Sequence, residues 1–163
     1  MKPLFLIFLV FFSSGSMLAQ KNIDELLEQY NTRSVPYISV QELKMDETKY
    51  TILDTRKKQE FMVSHLPNAI WVGEQPNDSI LNTLPILKSK PIVVYCSVGI
   101  RSETYGEKLN SKGYTNVQNL YGSIFAWKDA GFTVVDSLNQ YTDKVHVFSK
   151  VWGKYLKTGD KVY

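Results

Sequence analysis

The sequence holds one cysteine and two histidines among its 163 residues. A lone cysteine excludes an internal disulfide framework and leaves this thiol either hidden or kept for reaction. One thiol and two imidazoles offer no ligand cluster for zinc, so neither a metal nor a cofactor is expected. The excess of positive over negative charge is slight too. A net charge of +3, with no basic stripe, excludes the electrostatic footprint of a nucleic-acid binder. The apolar run at residues 4–12 falls well short of the ~20 residues that a bilayer span needs.

What is present is ordinary for a globular chain. Hydrophobic residues make up 44% and charged residues 21%, in a length that suits one compact domain. The first residues stand apart. Met1-Lys2 is a short basic region, residues 4–12 are apolar, Ser13-Ser14-Gly15-Ser16 are small, and Ala19 offers a cleavage point. This is the pattern of a secretory signal peptide over residues 1–19. It implies an exported protein, periplasmic or secreted, with no stable membrane insertion after cleavage. In the following segment, residues 20–34, Ile23, Leu26, Leu27 and Tyr30 have the spacing of an amphipathic helix packed on the outside of the domain.

The chemistry centres on residues 91–102. Ile92-Val93-Val94-Tyr95 is a short β-branched run after a proline and predicts a buried strand. Cys96 follows at its end, then the loop Ser97-Val98-Gly99-Ile100, and Arg101-Ser102 open a helical pattern. Loop N–H groups, a helix N-terminus and the Arg101 charge all favour a thiolate, lowering a thiol pKa below its usual ~8.5. The same residues also admit an inert, buried core thiol.

Around this centre, strands are predicted at residues 36–38, 50–53, 70–72, 117–120 and 132–135. Helices alternate with them. One starts at Val40 behind the capping-box pair Ser39 and Glu42. Another runs from Ile80 with Leu81, Leu84 and Leu87, and a third follows Arg101 with Tyr105 and Leu109 on one face and Gly106 allowing close packing. The alternation predicts an α/β fold, a central parallel sheet with helices on both faces, and puts Cys96 at the carboxyl edge where such sites form.

Three stretches resemble the rhodanese (thiosulfate sulfurtransferase) homology domain. Residues 96–101 have its Cys-x-x-Gly-x-Arg pattern. Asp54-Thr55-Arg56, Glu60-Phe61 and Ser64-His65-Leu66-Pro67-Asn68-Ala69 are similar to the family's acid-x-Arg, Glu-Phe and Gly-His-Ile-Pro-Gly-Ala, with Ser64 and Asn68 in place of glycines. Leu120, Gly122, Ser123 and Trp127 match its closing Leu-x-Gly-Gly-x-x-x-Trp, except that Ser123 replaces a glycine. The resemblance spans residues 35–135 and implies the rhodanese-like three-layer fold.

It also implies a sulfurtransferase. Cys96 would take a sulfane sulfur from a small donor, thiosulfate or a persulfide, and pass it to a thiol or cyanide acceptor. Ser97, Val98, Gly99, Ile100, Arg101 and Ser102 would form an anion cradle, with Arg101 holding the loop. Ser97, Val98 and Ile100 depart from the basic loops of thiosulfate-using members. Asp54 and Arg56 would either support the loop from beneath or form a purely structural salt bridge. His65 is a general base or, on the other reading, a structural histidine bonded to a backbone carbonyl. Two other functions remain: a non-catalytic binding or redox-sensing module, and a cysteine phosphatase, whose loop is one residue longer.

The tail, residues 136–163, lies beyond the resemblance. Phe148, Val151, Trp152 and Tyr155 at helical spacing, with Lys150, Lys154 and Lys157 interleaved, predict an amphipathic helix that docks on the domain. A protein partner or a membrane surface is the other use for such a segment. His146 at its start either approaches Cys96 or serves structure.

Overall fold

The computed structural model describes residues 22–83 and 86–163, so the signal-peptide segment lies outside the described residues. Five parallel strands form the main sheet: β1 (Tyr37–Ile38), β2 (Thr51–Asp54), β3 (Ile70–Trp71), β4 (Ile92–Tyr95) and β5 (Val117–Leu120), in the order β1-β5-β4-β2-β3. Central β4 pairs with β2, Asp54 beside Tyr95, and with β5, Val94 beside Asn119.

All four β4 residues are buried because both faces of the sheet are covered. Period-two alternation divides them between two cores. Val93 and Tyr95 join Ile38, Ile52 and Leu120 beneath α2 (Val40–Met45) and α6 (Ser123–Asp129). Ile92 and Val94 join Leu53 and Val117 beneath α5 (Ile100–Ser111), which contributes Tyr105 and Leu109. A side chain at Gly106 would come within 2.9 Å of Val35, so glycine lets α5 approach the sheet closely. The result is a three-layer α/β fold.

Local signals act where the residues carry them. Ser39 and Glu42 form a reciprocal capping box at the start of α2. Asn68 adopts the left-handed φ of +59° that its turn requires. Ser64 is extended at φ −167°, a conformation that needs no glycine.

Two helices differ from expectation. The one placed from Ile80 is a single turn, α4 (Asp78–Leu81), capped by Asn77. Leu81 is buried, Leu87 is exposed, and Leu84 lies outside the described residues. Pro85, which cannot continue a helix, accounts for the early end.

The tail helix shrinks to α7 (Lys150–Gly153). Instead, β7 (Tyr141–Thr142) pairs with β6 (Val134–Val135), and β8 (Lys144–His146) pairs with β9 (Asp160–Val162). Val151, placed on the apolar face of the expected helix, is exposed. Val145, Val147, Tyr155 and Leu156 are buried against the α2/α6 core. The alternation of Val145 and Val147 is a strand pattern, and it outweighs the helical spacing further along. No helix among the described residues is long and apolar enough to cross a membrane.

Candidate active site

The site is built from below. Arg56 Nε donates to Asp54 Oδ1 at 3.0 Å and its NH2 to Oδ2 at 2.6 Å, with both side chains fully buried. The same NH2 group donates to the Ser64 carbonyl at 2.7 Å, tying down the loop after α3 (Lys58–Val63). The Tyr95 hydroxyl donates to Asp54 Oδ2, and the Leu66 N–H donates to Tyr95, so the pair fixes the end of β4 one residue before Cys96. Burial first, then the neighbouring Asp54 carboxylate, pushes the Tyr95 phenol well above its ordinary pKa, which keeps it a proton donor here.

Above this pair stands Glu60, on α3 and without solvent exposure. It accepts two hydrogen bonds from Arg101, both at 2.9 Å, and one from the Ser97 hydroxyl at 3.2 Å. Arg101 also donates to Ser97 Oγ at 3.0 Å and to Glu74 at 3.0 Å. Burial raises the Glu60 carboxyl, but its bonds to Arg101 and the charges of Arg101 and Arg56 leave it below the ordinary value. It is an ionised anchor for the arginine.

The loop is held from two further sides. Asn119 donates to the Gly99 carbonyl at 2.8 Å, which fixes its amide so that Oδ1 accepts from the Ser102 hydroxyl at 2.7 Å. Asn31, just after α1 (Ile23–Tyr30), also donates to the Gly99 carbonyl, at 2.9 Å. Leu26 of α1 packs in the core, and Glu103 of α5 accepts from Thr32 and Ser34. This N-terminal segment therefore braces the loop and is not merely an outer cover. Gly99 has φ +113°, and a side chain there would meet Leu27 at 3.2 Å, so glycine alone fits. Ser123, standing where the resemblance places a glycine, takes φ +50°, and its hydroxyl accepts the Cys96 N–H at 3.1 Å.

Cys96 sits at the mouth of this frame and is 1% exposed. The Gly99 N–H donates to its sulfur at 3.2 Å. Burial pushes the thiol up, but the Arg101 charge, the N–H groups of Ser102 and Gly99 and the Ser102 hydroxyl outweigh it, and the pKa falls below its ordinary value. The Ser102 proton serves either Asn119 or the sulfur, one at a time. Over the sulfur lies a cleft of about 120 Å³, walled by the loop on one side and by Phe148 and Trp152 of the tail on the other. Val98 and Ile100 face into it.

Of the residues singled out in the sequence, those at 96–102 thus form one cradle. Asp54 and Arg56 sit one layer below, bonded to each other, to Tyr95 and to Ser64. His65 Nδ1 lies 3.1 Å from the Phe61 carbonyl and its ring stacks on Phe61, a structural arrangement. His146 Nδ1 accepts the Phe148 N–H at 3.0 Å. Glu60, Asn119, Asn31, Phe148 and Trp152 were not foreseen. Glu60 alone carried a signal, as an acidic residue within a motif whose buried helix face needs a cation.

The rhodanese-like domain family matches residues 39–130, more than half of the chain, and the protein belongs to that family. The chain is 34% identical over 90 residues to the adenylyltransferase and sulfurtransferase UBA4 of Candida albicans, covering 52% of this chain and 20% of that protein. It is 31% identical over 140 residues to a tRNA uridine(34) hydroxylase of Staphylococcus epidermidis, covering 77% of this chain and 41% of that one. The chain thus spans less than half the length of either relative, and their names show that the family varies. Among solved structures, a rhodanese-related protein from Thermoplasma volcanium superposes with a TM-score of 0.53 at 27% identity, covering 61% of this chain and 97% of that one.

Proposed function

We propose that the protein is a sulfurtransferase in which Cys96 carries a sulfane sulfur as a persulfide. The observation that carries this reading is the thiol itself: it lies at a strand end with its pKa lowered by Arg101 and by loop N–H groups, open to a small cleft. The thiolate attacks the outer sulfur of a donor, an Sγ–S bond forms, and the donor's S–S bond breaks with its electron pair leaving on sulfite or a thiolate. The loop N–H groups then stabilise the terminal persulfide anion. An acceptor, cyanide or a thiol, attacks that terminal sulfur and returns the Cys96 thiolate.

Phosphate chemistry finds less support. The terminal nitrogens of Arg101 already donate to Glu60, Glu74 and Ser97, which leaves them poorly placed to clamp a phosphoryl group. The proposal includes export, with residues 1–19 removed, and N-terminal sequencing of the protein recovered outside the cytosol tests that part.

The reaction is tested by steady-state thiocyanate formation from cyanide and a sulfane donor. Parallel-line, ping-pong kinetics in the wild type and no turnover in Cys96→Ser are expected. Equal turnover in the two proteins would refute the assignment, and no turnover in the wild type would favour a non-catalytic module.

A further inference from the structure

Phe148 holds a constrained backbone near the thiol. Its φ is +63°, and the Ser149 N–H donates back to the Val147 carbonyl at 2.6 Å, a γ-turn of the rare positive-φ kind. The buried His146 ring pins this turn by accepting the Phe148 N–H at 3.0 Å. The neighbouring Val145 and Val147 are fully buried, so the turn is anchored in the core. Strained backbone of this kind persists where its surroundings enforce it, often at ligand sites. Here the strain brings an aromatic ring to the cleft. The Phe148 centroid lies 5.2 Å from the Arg101 guanidinium and 5.1 Å from Lys57 Nζ.

The cleft has an unusual character for a site that would take an inorganic dianion. Phe148, Trp152, Val98 and Ile100 line this cleft of about 120 Å³. Arg101, the cation lining it, is already paired with the carboxylates of Glu60 and Glu74. Thiosulfate entering here would lose hydration against apolar walls, and the lining itself offers it no cation beyond the paired Arg101; Lys57, near the Phe148 ring, lies outside the lining. An apolar organic group would gain by leaving water.

We propose that Phe148 and Trp152 are specificity residues that select an organic hydropersulfide, R–S–SH with an apolar R group, over thiosulfate as the sulfur donor. The proposal rests on the sulfur-transfer reading. The Cys96 thiolate attacks the outer sulfur of the donor, the Sγ–S bond forms, and the bond between outer and inner sulfur breaks. Its electron pair leaves on RS⁻, which the aromatic wall receives, and the proton stays on the transferred sulfur. The exchange needs no external oxidant or reductant.

The test measures second-order rate constants for sulfur loading of Cys96 in the mature protein by quenched intact-mass analysis. The donors are benzyl hydropersulfide and thiosulfate, and a small free thiol gives the intrinsic ratio of their reactivities. The wild-type ratio, hydropersulfide over thiosulfate, is expected to exceed the free-thiol ratio by about tenfold or more, as apolar pockets discriminate by such factors. Phe148→Gly, which removes the ring while relaxing the positive φ, and Trp152→Ala should each bring the ratio back toward that of the free thiol. Thermal melts confirm that both variants are folded. A wild-type ratio at or below the free-thiol value, or a ratio that neither variant changes, overturns the proposal while leaving sulfur transfer intact. If neither donor loads Cys96, the sulfur-transfer reading fails and takes this proposal with it.

Discussion

The two walls of the site are made differently. The lower wall, comprising Asp54, Arg56, Glu60, Asn119 and the loop 96–102, is buried except at Ile100 and Arg101 and is cross-linked by hydrogen bonds, those of the two arginines charge-assisted. The upper wall is two aromatic side chains on a tail whose neighbours are buried but whose own contacts are partly open to solvent. The lower wall sets the state of the thiol, because charge and N–H geometry act on Cys96 directly. The upper wall meets that network at Arg101, whose guanidinium lies 5.2 Å from the Phe148 ring, and lines the cleft, so it is suited to choosing what enters.

The largest effect on this contrast should come from removing the upper wall entirely. Truncation after Ser137 deletes the buried side chains of Val145, Val147, Tyr155 and Leu156. At about 1.5–3 kcal/mol each, this rivals a total stability of about 5–15 kcal/mol. A thermal melt of the truncated protein is expected to show little or no cooperative transition. A melt like that of the full chain would mean that the tail is an appendage and not part of the core.

Next comes the deepest part of the lower wall. Asp54→Ala strips the buried Arg56 guanidinium of its partner and Tyr95 of its acceptor. Breaking a buried pair on one side costs about 3–5 kcal/mol. Chemical denaturation should record a loss of that order, and a loss within error of zero would show that the pair is dispensable.

Arg101→Ala should act on chemistry more than on folding. The Arg101 charge helps to hold the Cys96 pKa down, so its removal, which also takes the ion-pair partner from Glu60, should move the midpoint of Cys96 alkylation to higher pH. Superimposable rate-against-pH curves for the two proteins would separate Arg101 from thiol activation.

The smallest effect belongs to the hinge between the walls. Burial holds the His146 imidazole below its ordinary pKa; Arg56, Arg101 and Lys57 push the same way, and Glu60 pushes against them. For a depressed pKa, the stabilisation is fully present above the unfolded value, about 6.5, and is lost as pH falls through the folded pKa. Unfolding free energy should therefore decline with acidification from about pH 6.5 downward, and less steeply in His146→Gln. Parallel declines in the two proteins would remove His146 from the account.

Much of the frame was legible before the structure. The β-branched run of β4, the Ser39 and Glu42 box and the position of Cys96 before a Gly-bearing loop are local patterns that tertiary packing reinforces. The supports of the loop were not legible, because they join residues far apart in sequence. Arg101 meets Glu60 across 41 positions and Cys96 meets Ser123 across 27, and no periodicity encodes such pairings. In the tail two periods competed. Phe148, Trp152 and Tyr155 fit a helix, yet Val145 and Val147 fit a strand, and burial of the valines decided the outcome. The sequence pattern thus marks Phe148 and Trp152 only as apolar residues and does not place them over Cys96.

The most direct test of the account is the intact mass of the protein after brief exposure to a sulfane donor and removal of the excess. The account predicts a gain of one sulfur atom, mapped to Cys96, faster as pH rises through a thiol pKa below the ordinary ~8.5, and reversed by cyanide. A protein that gains no sulfur, or gains it equally well as Cys96→Ser, would contradict it.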